Sequence, residues 1–168
     1  MKTLRETRRS AIRYHGEQKY GPFPYSYHLR AAERVAIRFG IKSRLIRKGI
    51  WLHDVIEDCK LSASYLVLAG HDPRAVAMAD AVSDGEGATR KERKASTYEK
   101  IRNTFGAKIV KLCDRIANVE FSSSDLGDPK KFEMYRSEYA EFQRQLRDDK
   151  AEPELRPLWL HLDSLLCQ

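Results

Sequence analysis

The segment W-L-H-D-V-I-E-D-C-K, residues 51–60, places four ionisable side chains within a run of apolar residues. Helical spacing puts His53 and Asp54 on the side of the helix that carries Glu57 and Asp58 one turn later. Carboxylates that are buried close together repel one another unless a cation compensates them. The segment therefore predicts a divalent metal, and imidazole with carboxylate suits manganese, iron, magnesium or zinc.

Two adjacent side chains cannot fill a coordination sphere, so other segments must contribute ligands. Y-S-Y-H-L supplies His28, and K-L-C-D-R-I-A-N-V supplies Asp114, with Asn118 one turn later on the same helix face. Together with His53 and Asp54 they would form a site of two His and two Asp residues. Such a site leaves positions for water and substrate, which is what metal-assisted hydrolysis requires, and its lack of thiolates argues against a structural zinc.

Apolar periodicity predicts an all-α fold, with no convincing strand pattern. Loops rich in Gly, Pro or Ser are expected at 15–24, 83–90 and 122–130. One continuous helix over about 42–58 would carry the whole acidic segment. The other helices are expected at about 3–14, 25–39, 62–69, 73–82, 91–105, 107–121, 131–148 and 153–166.

The composition suits one compact domain spanning residues 1–168, because 168 residues with 42% hydrophobic content can bury a sizeable core. The net charge of +7, from 31 basic and 24 acidic residues, favours anionic partners such as nucleotides, polyphosphates or nucleic acid. Three widely spaced cysteines indicate a reducing compartment. Without an apolar signal core or a run of transmembrane length, the sequence predicts a cytoplasmic protein that does not contact a membrane.

Three motifs together resemble a known family. H-G-E-Q-K-Y-G-P-F-P-Y-S-Y-H, L-H-D-V-I-E-D and K-L-C-D-R-I-A-N-V are similar to the signatures of the HD superfamily of metal-dependent phosphohydrolases. The likeness is closest to the hydrolase domain of RelA/SpoT-type proteins and to small alarmone hydrolases. It covers about residues 5–121 and implies an all-α HD-domain helical bundle, to which residues of about 131–166 add C-terminal helices.

The resemblance implies a reaction and a set of roles. Its enzymes remove the 3′-pyrophosphate of (p)ppGpp with Mn²⁺, and the metal ligands carried over are the same two His and two Asp residues. Glu57 and Asp58 match the acidic pair that positions or deprotonates the attacking water. The residues expected to contact substrate are Lys19, Tyr20, Arg90, Arg93, Lys94, Arg115 and Asn118.

Two positions depart from the family pattern and affect the substrate more than the metal chemistry. Tyr20 stands where a second basic residue packs on guanine in related enzymes, and it could stack on a purine or simply pack against the loop. The segment A-V-S-D-G-E-G, at the end of the predicted helix over 73–82, replaces the V-T-K that is usual in the family, so that Asp84 stands in place of a cation.

Three functions therefore stay open. The first is hydrolysis of (p)ppGpp or a related purine alarmone. The second is hydrolysis of another nucleotide, such as ppApp, NADPH or a nucleoside monophosphate. The third is a non-catalytic basic protein that binds nucleic acid or a protein partner, but the chain has no DNA-reading signature. We therefore expect a small-molecule nucleotide substrate and no nucleic acid, and leave self-association into a homo-oligomer open.

Overall fold

The computed structural model describes residues 1–85 and 88–167, with only the backbone for residues 90 and 91. The chain folds as helices joined by short loops, which confirms the predicted all-α class. In chain order the helices are α1 Leu4–His15, α2 Ser26–Arg38, α3 Arg44–Leu52, α4 Val55–Asp58, α5 Ala63–Leu68, α6 Pro73–Val82, α7 Arg90–Asn103, α8 Ala107–Ser122, α9 Pro129–Leu146 and α10 Arg156–Leu166. A 3-10 turn, Pro153–Leu155, leads into α10.

Polar side chains set the starts of several helices by accepting hydrogen bonds from amides of the first turn, which have no partner within the helix. Thr3 and Thr89 form capping boxes with Glu6 and Glu92. In each, the Thr side chain accepts from the backbone amide of the Glu, and the Glu side chain accepts from the backbone amide of the Thr. Other helices begin after a single capping side chain, from Ser43, Ser62, Asp72 or Asp128.

The prediction of one continuous helix over 42–58 is wrong. Helix α3 ends at Leu52 and the single turn α4 begins at Val55, so His53 and Asp54 occupy a break. The imidazole Nδ1–H of His53 donates to the carbonyl oxygen of Ile50 at 2.7 Å. In a continuous helix that carbonyl would accept from the amide of Asp54, so the side chain competes with the backbone and interrupts the helix.

The loop before α2 contains a small hairpin that the sequence did not predict. Its strands β1 (Lys19–Tyr20) and β2 (Phe23–Pro24) are antiparallel, with Tyr20 paired to Phe23. Gly21 makes the turn with φ +57°, in the left-handed region that favours glycine. A Cβ at Gly21 would also lie 2.9 Å from the ring of Phe121, so the hairpin packs closely on α8.

The core consists of two apolar clusters that share helices α2, α3 and α6. One lies around α8 and includes the fully buried Phe142 and Trp159 of the C-terminal helices, whose rings are 5.4 Å apart. The other lies among α1, α2, α3 and α6 and includes Trp51 and Leu29. Because α9 and α10 both contact α8, the C-terminal extension packs directly on the helix that carries Asp114. The assignment of residues 1–168 to one domain stays a prediction.

Within the described residues, no helix combines the length and the apolar character that a membrane span needs.

Candidate metal centre and active-site cleft

The four predicted metal ligands come together from three parts of the fold. His28 lies near the start of α2, His53 and Asp54 lie in the break between α3 and α4, and Asp114 lies in the middle of α8. The Nε2 atoms of His28 and His53 are 3.1 Å apart. Oδ1 of Asp114 lies 3.3 and 3.4 Å from these two nitrogens, and Oδ2 of Asp54 lies 3.5 and 2.8 Å from them.

The hydrogen bonds of this cluster fit a divalent cation. Because His53 donates through Nδ1 to Ile50, its neutral imidazole presents the Nε2 lone pair to the cluster, as metal-binding histidines do. His28, His53 and Asp114 are all buried, and each offers a ligand atom within 4.8 Å of the others. Imidazole nitrogens with carboxylate oxygens are ligands that divalent transition metals accept. This buried group can hold a divalent metal ion.

The carboxylates and imidazoles of the cluster shift one another's pKa values. Burial alone would raise the pKa of Asp54 and Asp114, but nearby positive groups outweigh it: His53 and His28 for Asp54, and Lys111 with the imidazoles for Asp114. Both carboxyl pKa values therefore lie below the usual range. Burial alone would lower the pKa of the two histidines, but the carboxylates outweigh it and raise both. A metal ion that binds here takes the place of these protons.

A second set of side chains orients the candidate ligands. The Tyr25 hydroxyl donates to Oδ2 of Asp54 at 2.5 Å. Lys111 donates to Oδ2 of Asp114 at 3.1 Å, and the amide of Asn118 donates to Oδ1 of Asp114 at 2.5 Å. The sequence patterns did not point to Tyr25 or Lys111. Lys111 lies three residues before Asp114, a spacing that places side chains close together on a helix, whereas Tyr25 meets Asp54 only through tertiary packing.

The predicted acidic pair lies on α4 beside the metal cluster, with both side chains exposed to a cleft. Glu57 accepts a hydrogen bond from the amide of Asp84 at 3.2 Å, and Asp58 accepts one from the Gln18 side chain at 2.8 Å. Loss of water around the Glu57 carboxyl, followed by repulsion from Asp84, raises the pKa of Glu57. A carboxylate with a raised pKa is a stronger proton acceptor.

The cleft beside the cluster has a volume of about 720 Å³. Of the residues predicted to contact substrate, five line it: Lys19, Tyr20, Lys94, Arg115 and Asn118. Arg93 is not part of the described cleft wall, and its Nε atom lies 3.7 Å from a carboxylate oxygen of Asp84. The side chain of Arg90 lies outside the described residues. The basic segment of α7 therefore contributes Lys94 to the described wall of the cleft.

Helix α9 supplies one wall of the cleft, which the sequence analysis did not predict. Its residues Lys131, Met134, Tyr135 and Glu138 line the cavity, as do Lys19, Tyr20 and Gly21 of the hairpin. Glu138 forms ion pairs with Lys94 and with Arg115, the latter at 3.7 Å. Of the aromatic residues of α9, Tyr139 and Phe142 are buried, whereas Tyr135 faces the cleft.

The same helix holds Arg115 in place. The Arg115 guanidinium lies over the rings of Tyr135 and Phe142, at 4.8 and 4.6 Å from their centroids. With only 8% of its side chain exposed, Arg115 depends on these rings and on Glu138 for compensation of its charge.

Comparison with known proteins supports the fold. A scan of protein-family models and a search of curated proteins gave no match to this chain. A matching solved structure is that of a metazoan ortholog of SpoT, described as hydrolyzing ppGpp and playing a role in starvation responses. The two share 22% sequence identity over 98% of this chain and 94% of that chain, with a TM-score of 0.77. This chain therefore has the same fold as that SpoT ortholog, and the likeness includes the C-terminal helices beyond the recognised motifs.

Proposed function

We propose that this protein is a metal-dependent phosphohydrolase that removes the 3′-pyrophosphate of (p)ppGpp or a related purine alarmone. The observation that carries the proposal is the convergence of His28, His53, Asp54 and Asp114 beside an acidic pair at the edge of a cleft. The shared fold with a SpoT ortholog that hydrolyzes ppGpp supports the choice of substrate. We propose Mn²⁺ as the metal, because two imidazoles and two carboxylates suit it, although iron, magnesium and zinc accept the same ligands.

The roles of the residues follow from their positions. His28, His53, Asp54 and Asp114 would hold the metal, with Tyr25 fixing the direction of the Asp54 carboxylate. When bound, a divalent ion supplies Lewis-acid activation of a water and of the phosphoryl group to be attacked.

The acidic pair manages the proton of the reaction. Glu57 accepts a proton from the attacking water as the water oxygen forms a bond to phosphorus. The bond from phosphorus to the 3′-oxygen breaks, and the departing 3′-oxygen takes up a proton from solvent. The products are pyrophosphate and a nucleotide with a free 3′-hydroxyl. Asp58 is held by Gln18 and would orient the water rather than accept its proton.

The cleft offers basic side chains to a polyphosphate, beside seven acidic residues of its described wall that include two of the candidate metal ligands and the acidic pair. Among the described residues, five basic side chains line it: Lys19, Lys94, Lys111, Arg115 and Lys131. Such groups stabilise the charge that develops on phosphoryl oxygens. The volume of about 720 Å³ is within the range of small-molecule sites. The basic side chains and the size of the cleft favour a nucleotide substrate over the non-catalytic alternative. The cytoplasmic location and the assembly into a homo-oligomer stay predictions.

The test is an assay of the purified full chain with a panel of substrates. The metal-free protein is loaded with Mn²⁺ and incubated with ppGpp, ppApp, NADPH and nucleoside monophosphates, and the release of pyrophosphate or phosphate is measured. We expect pyrophosphate from ppGpp, with no release after treatment with a chelator. Turnover of another member of the panel alone would change the substrate but keep the enzyme class. Failure to hydrolyse any of them in the metal-loaded state would overturn the proposed function.

A further inference from the structure

Tyr20 is connected to the candidate metal centre by two consecutive hydrogen bonds. Its hydroxyl donates to Oδ1 of Asn118 at 2.8 Å, and Nδ2 of Asn118 donates to Oδ1 of Asp114 at 2.5 Å. The hairpin before α2 is thereby linked to the middle of α8 through side chains alone. A role for this link in metal binding rests on the proposed metal-dependent function.

The chemistry of the three groups fixes the direction of both bonds. An ionised Asp114 only accepts hydrogen bonds, so the amide nitrogen of Asn118 must face it. The amide oxygen of Asn118 then faces Tyr20, whose hydroxyl must donate. Burial, followed by nearby Tyr135 and the carboxylates, raises the pKa of Tyr20, so its hydroxyl keeps the proton that it donates. Both polar ends of Asn118 are therefore engaged within the protein.

The oxygen at the end of this link is the one that faces the metal position. Oδ1 of Asp114 accepts from Asn118 and lies 3.3 and 3.4 Å from Nε2 of His28 and His53. The other oxygen, Oδ2, accepts from Lys111 at 3.1 Å. Each carboxylate oxygen thus has its own donor, and the donor on the metal side is the one that Tyr20 orients.

The ring of Tyr20 is held firmly enough to perform this role. It stacks on the imidazole of His28 with centroids 4.7 Å apart, and it packs on Phe121 at 4.5 Å. The close approach of Gly21 to Phe121 fixes the turn of the hairpin beside it. These contacts do not test whether the ring also stacks on a purine, which stays a prediction.

We propose that Tyr20 is a positioning residue that acts through Asn118 to aim the Asp114 carboxylate at the metal. Partners of metal ligands typically contribute 10- to 100-fold to metal affinity or activity. Because Tyr20 reaches Asp114 only through Asn118, removing the Tyr20 hydroxyl should lower the affinity for metal about 10-fold, at the low end of that range.

The experiment measures Mn²⁺ affinity by calorimetric titration of the metal-free protein, without substrate. Tyr20→Phe removes only the hydroxyl, and we expect Mn²⁺ to bind it about 10-fold more weakly. Tyr27→Phe is the matched control, because Tyr27 lies in the same aromatic cluster, with its ring stacked on Phe23, and it does not line the cleft. The control should bind Mn²⁺ like the wild type, and thermal unfolding without metal checks that all variants are folded.

A double-mutant cycle shows whether the effect passes through Asn118. Asn118→Ala should weaken Mn²⁺ binding at least as much as Tyr20→Phe, and adding Tyr20→Phe to Asn118→Ala should cause no further loss. Unchanged affinity in Tyr20→Phe, or losses that simply add, would overturn the inference. If the wild type binds Mn²⁺ but hydrolyses no nucleotide, the proposed function is wrong and the inference about Tyr20 stands. If it binds neither Mn²⁺ nor Zn²⁺, both the proposed function and the inference about Tyr20 are wrong.

Discussion

Replacing Glu57 with Gln separates proton transfer from metal binding. The amide has nearly the same shape as the carboxylate and can still accept the hydrogen bond from the Asp84 amide, which lies 3.2 Å from Glu57 in the wild type. It cannot accept a proton from water. Glu57 lines the cleft but is not one of the four residues around the metal position, so metal binding should be retained.

The expected loss is large. A positioned general base typically contributes 10²- to 10⁴-fold to the rate, which corresponds to about 3–5 kcal/mol of activation free energy. We place Glu57→Gln within that range for kcat, because a raised pKa makes the Glu57 carboxylate a stronger proton acceptor. Asp58→Asn should cost less, because Asp58 already accepts a hydrogen bond from Gln18.

The assay follows pyrophosphate release from ppGpp at saturating Mn²⁺, together with metal content by elemental analysis. Glu17→Gln is the matched control: it removes the same charge from an exposed residue that is not part of the described cleft wall, and it should turn over like the wild type. A Glu57→Gln protein that hydrolyses substrate at the wild-type rate would refute the assignment of the base. Loss of bound metal together with activity would show that Glu57 serves the metal instead.

Three further outcomes are expected for variants of the site. Asp114→Ala should lose both bound metal and turnover, and a wild-type metal content in elemental analysis would contradict its role as a ligand. Asp84→Asn removes a negative charge that raises the pKa of Glu57, so the pKa of Glu57 should fall. Because the base must be ionised to act, the acid limb of the profile of kcat/KM against pH should move to lower pH. An acid limb that does not move would contradict this expectation. Glu138→Gln removes a negative charge from the cleft and should lower the KM for substrate about fivefold, or about 1 kcal/mol. A higher KM would contradict this and would mean that Glu138 holds Lys94 and Arg115 in place for substrate.

Much of the fold could be predicted from local patterns. The starts of α1, α6 and α7 follow from Thr3, Asp72 and Thr89, whose side chains cap amides only a few residues ahead. The helix over 42–58 was predicted too long because its apolar pattern continues through His53. The interruption there depends on a bond from the His53 imidazole to Ile50, which competes with the helix without changing the pattern.

Residue types and local spacing were enough to predict that His and Asp side chains would gather at one buried site with acidic residues beside it, because buried carboxylates need a positive charge nearby. Which other groups meet them depends on tertiary packing. Tyr20 reaches Asp114 through Asn118, and Glu138 enters the cleft between Lys94 and Arg115. These contacts join residues that lie far apart in the chain. They form because the hairpin and α9 pack on α8 and bring the side chains within reach of one another. The spacing of residues along the chain does not determine that packing.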